Sequence, residues 1–164
     1  MAHTHVLFAM FFLILPSRVL GYHLPIEAIA AGIAASLLPD IDHSKSMIGR
    51  TLIPISLLLN AAFGHRTITH SLLGFFIAIV LAYFITATLW LPAAVYIAFI
   101  VGYTSHILAD MLNDAGVALL YPFEKRRYSI LPRRWGIRTE SQSEHAIATV
   151  LAVVVASQFI RTML

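Results

Sequence analysis

The chain has 164 residues, 59% of them hydrophobic and 12% charged, with a net charge of +3 and a mean hydropathy of +0.83. A typical soluble domain carries about 25% charged residues, and a small one has the most surface to cover with polar groups. Composition therefore points to a membrane protein, and length to a single domain over residues 1–164. Cysteine is absent, which excludes disulfides and thiolate metal sites and leaves His, Asp and Glu as candidate ligands.

Val6 to Leu15 is an apolar run of signal-peptide length, but His3 and His5 precede it in place of Lys or Arg, and no small-x-small site follows. It reads as a retained first membrane helix ending near Pro16. Pro25 and Glu27 open a second helix, whose small residues from Ala28 to Ser36 suit close helix packing. Pro39 ends it, and LPDIDH follows as a polar loop. Thr51 to Phe63 is a third apolar stretch, half-inserted or broken at Pro54. Gly64 to His70 is polar. Ser71 to Leu89 runs without a charge and is the clearest spanning segment. Pro92 opens a return helix to about Asp110, a polar connection covers residues 113–138, and a last apolar helix starts at Glu144 or His145. The expected fold is all-α, a polytopic membrane bundle of about 4–6 helices.

Six of the eleven basic residues fall in the polar connection: Lys125, Arg126, Arg127, Arg133, Arg134 and Arg138. By the positive-inside rule that segment is cytoplasmic. It also suits anionic lipid headgroups. A nucleic-acid partner is not expected, because the segment lies between two apolar stretches and needs no such partner to explain it. The lipid bilayer is the expected partner, and the sequence does not specify an oligomeric state.

This topology brings the candidate ligands to one end. The second helix delivers Asp40, Asp42 and His43 to the face that the return helix reaches with His106 and Asp110. His65 and His70 stand there before the charge-free segment, and a hairpin of the first two helices adds His5. His106 and Asp110 are four apart and share a helix face. Ionisable groups in an apolar segment are costly and mark function. Asp40 and Asp42 point the same way if their segment is extended. Asp42 reads as the better ligand, with Asp40 as a cap, a supporting group or a proton acceptor. Arg66, between the two histidines of GHRTITHS, has the planar fork that suits a phosphate. Glu140 and Glu144 share a face if the last helix begins early, and Glu144 is a ligand or general-base candidate. The alternative readings are a hydrogen-bonded His106–Asp110 pair, an Asx turn at LPDIDH and a headgroup-anchoring Arg66.

The pieces THVLFA, SLLPDIDH, GHRTITHS and GYTSHILADMLNDAGVALLYPF together resemble the YdjM-like family, LexA-regulated bacterial inner-membrane proteins regarded as metal-dependent hydrolases. TESQSEHAI resembles its last acidic element more loosely. The resemblance covers roughly residues 3 to 150. Through a distant likeness to the zinc phospholipase C and P1 nuclease group, it implies a helical core and metal ligands drawn from His5, Asp42, His65 or His70, His106, Asp110 and Glu144. The soluble enzymes use a late His-x-x-x-Glu pair, which here reads Glu140-x-x-x-Glu144. One or two divalent ions, Zn before Mn or Fe, are thus expected ahead of three.

The expected function is metal-dependent hydrolysis of a phosphoester, such as a lipid or membrane-near phosphorylated substrate, at the cytoplasmic face of the bacterial inner membrane. Asp40, Arg66 and Glu144 are the expected catalytic groups. The rivals are a metal or proton transporter, which expects ligands midway through the helices, and a non-catalytic scaffold.

Overall fold

The computed structural model describes residues 2–163, with side chains through residue 158. Among these, helices α1 (Ala2–Leu20), α2 (Ile26–Leu37), α3 (Met47–Thr51), α4 (Ile53–Phe63), α5 (Leu72–Thr88), α6 (Ala93–Met111) and α7 (Gln142–Met163) follow in order. Short 3-10 turns occupy Leu38–Asp42, Ile68–His70 and Arg133–Trp135. The described residues form no β-sheet, only isolated bridges Asn113–Ile137 and Val117–Tyr128.

α6 is central, flanked by α2, α1 and α5, while α1 also packs on α7 and α2. The α2–α6 contact is the most extensive because both helices present small residues to it. A methyl group added at Gly102 would lie 2.1 Å from the carbonyl oxygen of Gly32, so only glycine permits this approach. Leu13, Ala28, Val95 and Ala98 form one core cluster, and Ala35, Tyr103, Ile107 and Val117 a second nearer the polar end.

α1 and α6, nineteen residues each, are long and apolar enough to cross a membrane, whereas α4 and α5 are shorter apolar helices. The segment expected as the clearest span forms the seventeen-residue α5. The Ser71 side chain caps it by accepting from Gly74 N–H at 3.1 Å, and Leu89 lies past its end.

Prolines mark two further differences. α1 continues through Pro16 to Leu20, since one missing backbone donor can be tolerated inside a packed apolar helix. The third apolar stretch breaks at Leu52, while Pro54 sits in the first turn of α4, where its missing N–H has no helical partner to lose. The LPDIDH segment is a 3-10 turn rather than an extended strand, so Asp40 and Asp42 face different neighbours. Glu140 precedes α7 with φ 62° and is not on its helical face.

Candidate metal centre

The site gathers where α1, α2 and α6 meet the turns before α3 and α5. His106 and Asp110 stand one helical turn apart on α6, both fully buried. The 3-10 turn before α5 contributes His70, also fully buried. From α1, the His5 ring stacks on His106 with centroids 3.8 Å apart and planes at 16°. Asp40 enters from the turn after α2.

Hydrogen bonds fix which imidazole nitrogens are available. His106 Nδ1 lies 2.6 Å from the Ser36 carbonyl oxygen. A carbonyl only accepts, so Nδ1 carries the proton and a neutral ring leaves a lone pair on Nε2. The Thr69 hydroxyl donates to Asp42 Oδ2 at 2.8 Å. Having used its single proton, it accepts from His70 Nδ1 at 3.0 Å. His70 Nε2 is therefore also a lone-pair atom when the ring is neutral.

The two Nε2 atoms face each other at 3.1 Å. Asp110 Oδ2 is 3.2 Å from the first of them, His70, and 3.7 Å from His106, and it is buried with no assigned hydrogen-bond donor among the described residues. Asp40 Oδ1 lies 3.8 Å from each Nε2. Acceptors so arranged are relieved by a positive centre among them, whether a shared proton or a metal ion. The separation of the nitrogens is shorter than two Zn–N bonds of about 2.0–2.1 Å laid end to end, so one ion can bond both.

Two groups of side chains have the spacing to chelate a metal: His70, His106 and Asp110, and His5, Asp40 and His106. They suit one or two divalent ions. Both use His106, whose Nδ1 is already committed to Ser36. His70 and His106 each pair their Nδ1 with a hydroxyl or backbone oxygen, the usual support of a metal-bound histidine.

Asp42 is fully buried beside this cluster rather than in either group. Its oxygens accept from His65 Nδ1 at 2.8 Å, Arg66 N–H at 2.9 Å and the Thr69 hydroxyl. Burial pushes its carboxyl up, but the His65 bond, the charges of His70 and His65 and the Thr69 bond together hold it below the ordinary carboxylate range. His65 is partly exposed and stacks on His43, with centroids 4.6 Å apart. Burial, followed by neighbouring His65, pushes the His43 ring down.

Arg66 lies at φ 57°, a left-handed conformation that costs a non-glycine residue free energy. Its backbone bond to Asp42 holds it there. Its guanidinium donates from Nη2 to Asp110 Oδ1 at 3.0 Å and leaves Nε buried with no partner among the described residues. Asn113 Nδ2 also donates to Asp110 Oδ1, at 2.9 Å. One carboxylate oxygen of Asp110 is thus fully engaged and the other is left bare.

Glu144 stands outside both groups. It accepts from the Thr4 hydroxyl at 2.8 Å and from Glu140 N–H at 2.6 Å. With Thr4, His5, Phe8 and Asn113 it lines a cavity of about 60 Å³ between α1, α6 and α7. His5 Nδ1 is buried with no hydrogen-bond partner among the described residues, while its Nε2 lies 3.7 Å from Asp110 Oδ1.

The structure thus brings together His5, Asp40, His70, His106 and Asp110, with Asp42, His65 and Arg66 immediately behind them. The Ser36 carbonyl and the bridging Thr69 hydroxyl were not assigned these supporting roles from sequence. Thr69 stands inside GHRTITHS as a visible signal, whereas a backbone carbonyl leaves none.

The family described as YdjM inner membrane protein matches residues 1–164, and the chain belongs to it. It is 45% identical over 114 residues to inner membrane protein YdjM of Escherichia coli (strain K12), an alignment covering 68% of this chain and 58% of the relative. The Shigella flexneri protein of the same name gives the same values. Uncharacterized protein YvsG of Bacillus subtilis (strain 168) is 37% identical over 98 residues, 60% of this chain and 59% of the relative. The alignments therefore span less than two thirds of the length of these relatives. No solved structure matches the chain significantly.

Proposed function

We propose that this member of the YdjM family is a metal-dependent hydrolase of the bacterial inner membrane, acting on a phosphoester at the cytoplasmic face. The observation that carries the reading is the pair of imidazole Nε2 atoms 3.1 Å apart beside the donor-free Asp110 Oδ2. We assign one divalent ion, with zinc preferred, to His70, His106 and Asp110, and place Asp40 and His5 at its margin. A mixed set of imidazoles and carboxylates without thiolates is the donor set of catalytic rather than closed structural zinc sites.

When bound, the ion would supply Lewis acidity toward a phosphoryl oxygen and the attacking water. The chain's own groups divide the remaining work. Asp42 and Thr69 keep the His70 ring in register. Arg66 clamps Asp110 and retains Nε for negative charge growing on the phosphoryl group. Asp40, less buried than Asp42 and Asp110, accepts a proton from water. That proton then passes from Asp40 to the leaving oxygen, while His65, bonded to Asp42, holds the Asp42 carboxylate in place. Glu144 holds the entrance of α7 against α1 and serves the cavity beside His5.

Purified protein tests this reading by metal analysis and a panel of phosphoesters. A bound divalent metal with hydrolysis that falls at least about 100-fold in His106→Ala and Asp110→Asn is expected. Metal-gradient-driven flux in vesicles without hydrolysis would favour a transporter. Protein that retains no divalent metal would refute the proposed centre.

A further inference from the structure

The connection between α6 and α7 carries a feature that the metal centre does not use. Its backbone is fastened to the end of α6: Ile130 N–H donates to the Met111 carbonyl at 2.7 Å, and Ile137 N–H to the Leu112 carbonyl at 3.0 Å. The Ser129 hydroxyl lies 3.1 Å from the same Met111 carbonyl. The segment is therefore an ordered platform, one turn beyond Asp110.

Its outer surface combines charge with bare apolar side chains. All six basic residues of the segment are exposed. Among them project Phe123, 90% exposed, Trp135, 66% exposed, and Ile130, 52% exposed. Arg134 lies over the Trp135 ring at 5.0 Å, and Arg126 over Tyr128 at 5.5 Å. Topology alone accounts for the basic charge but not for this bare phenylalanine. Charge interleaved with an indole and a phenyl ring matches a membrane interface, where phosphates meet arginines and the rings enter the headgroup layer.

We infer that this platform docks on the anionic lipid surface beside the bundle, with Phe123 and Trp135 inserted and the arginines on lipid phosphates. The docked platform fixes the end of α6, and with it the depth of Asp110 below the headgroups. The inference is independent of the metal chemistry, because its ligand is the bilayer itself.

The chain has two tryptophans. The other, Trp90, lies between α5 and α6 at their far end and is 92% exposed. Trp90→Phe full-length protein therefore reports on Trp135 alone. It is reconstituted in phosphatidylcholine vesicles with or without phosphatidylglycerol, using lipids brominated near the headgroup as quenchers. Phosphatidylglycerol should blue-shift Trp135, increase quenching by the brominated lipid and reduce quenching by aqueous acrylamide. High salt should reverse these changes. Arg133→Gln and Arg134→Gln should each lower the preference for the anionic vesicle about fivefold, with helical content unchanged. Phe123→Ser should reduce insertion in both vesicle types. Equal Trp135 burial in neutral and anionic vesicles would overturn the inference, as would acrylamide access unchanged by lipid, the result expected of a surface reserved for a protein partner.

Discussion

His106 and Ser36 join the candidate metal site to the helix packing: the imidazole of one donates to the backbone carbonyl of the other at 2.6 Å. The bond crosses the α2–α6 contact, whose close approach depends on Gly32 and Gly102. Spacing of these two helices and orientation of a ligand are therefore one structural property.

Gly102→Ala should separate them. The added methyl meets the Gly32 carbonyl oxygen at 2.1 Å, a backbone atom that cannot swing aside. A loss of about 1–3 kcal/mol is expected for such overpacking, read as a lowered midpoint of reversible unfolding in detergent. Gly32→Ala should cost less, because its closest obstacle is the flexible end of Leu13 at 2.4 Å. Equal effects would contradict this account of the contact.

Metal removal should destabilise the folded protein by linkage. At a free metal concentration near 100 times Kd, a site absent from the unfolded chain contributes about 2.7 kcal/mol. Chelation should lower the thermal midpoint and added zinc should restore it. His70→Ala should abolish this difference, measured by scanning calorimetry with and without chelator.

Thr69→Val should weaken the metal without removing a proposed ligand. It deletes the hydroxyl between His70 Nδ1 and Asp42 Oδ2 and so frees the His70 ring to change tautomer or turn. Loss of a supporting partner of this kind typically costs about 10–100-fold in affinity. Competitive titration against a chromogenic chelator measures it. Unchanged affinity would mean that Thr69 does not orient the ligand.

Asp42 makes a prediction in acid. Its folded carboxyl is held below the ordinary value of 3.8 by the His65 bond and its other partners. Below that value the unfolded chain takes up a proton before the folded one does. The stabilisation is therefore complete above the unfolded pKa and is lost as pH falls through the lower, folded one. Asp42→Asn should remove this component of acid sensitivity, visible as a flatter dependence of unfolding midpoint on pH in metal-free protein.

Much of the candidate site was legible because its side chains lie at helix ends that charge and proline already marked. His106 and Asp110 announced themselves as ionisable groups one turn apart in an apolar helix. The relation of Asp40 to Asp42 was harder to read. Their spacing suggested a common direction in an extended chain, but a 3-10 turn sends Asp42 to His65, Arg66 and Thr69 and leaves Asp40 beside His70 and His106. Arg66 was visible as a phosphate-type fork, whereas its pairing with Asp110 depended on how the turn before α5 folds over α6. Pro16 was misleading because helix breaking depends on surroundings as well as on the missing donor.

The stacking of His5 on His106 also has a consequence for assembly. His5 lies near the start of the sequence, and α1 is synthesised before α6 exists. The ring must wait for its partner through the synthesis of every intervening helix, so this corner of the molecule closes late. The contact that fastens α1 to the candidate site is thus completed only once α6 has been made.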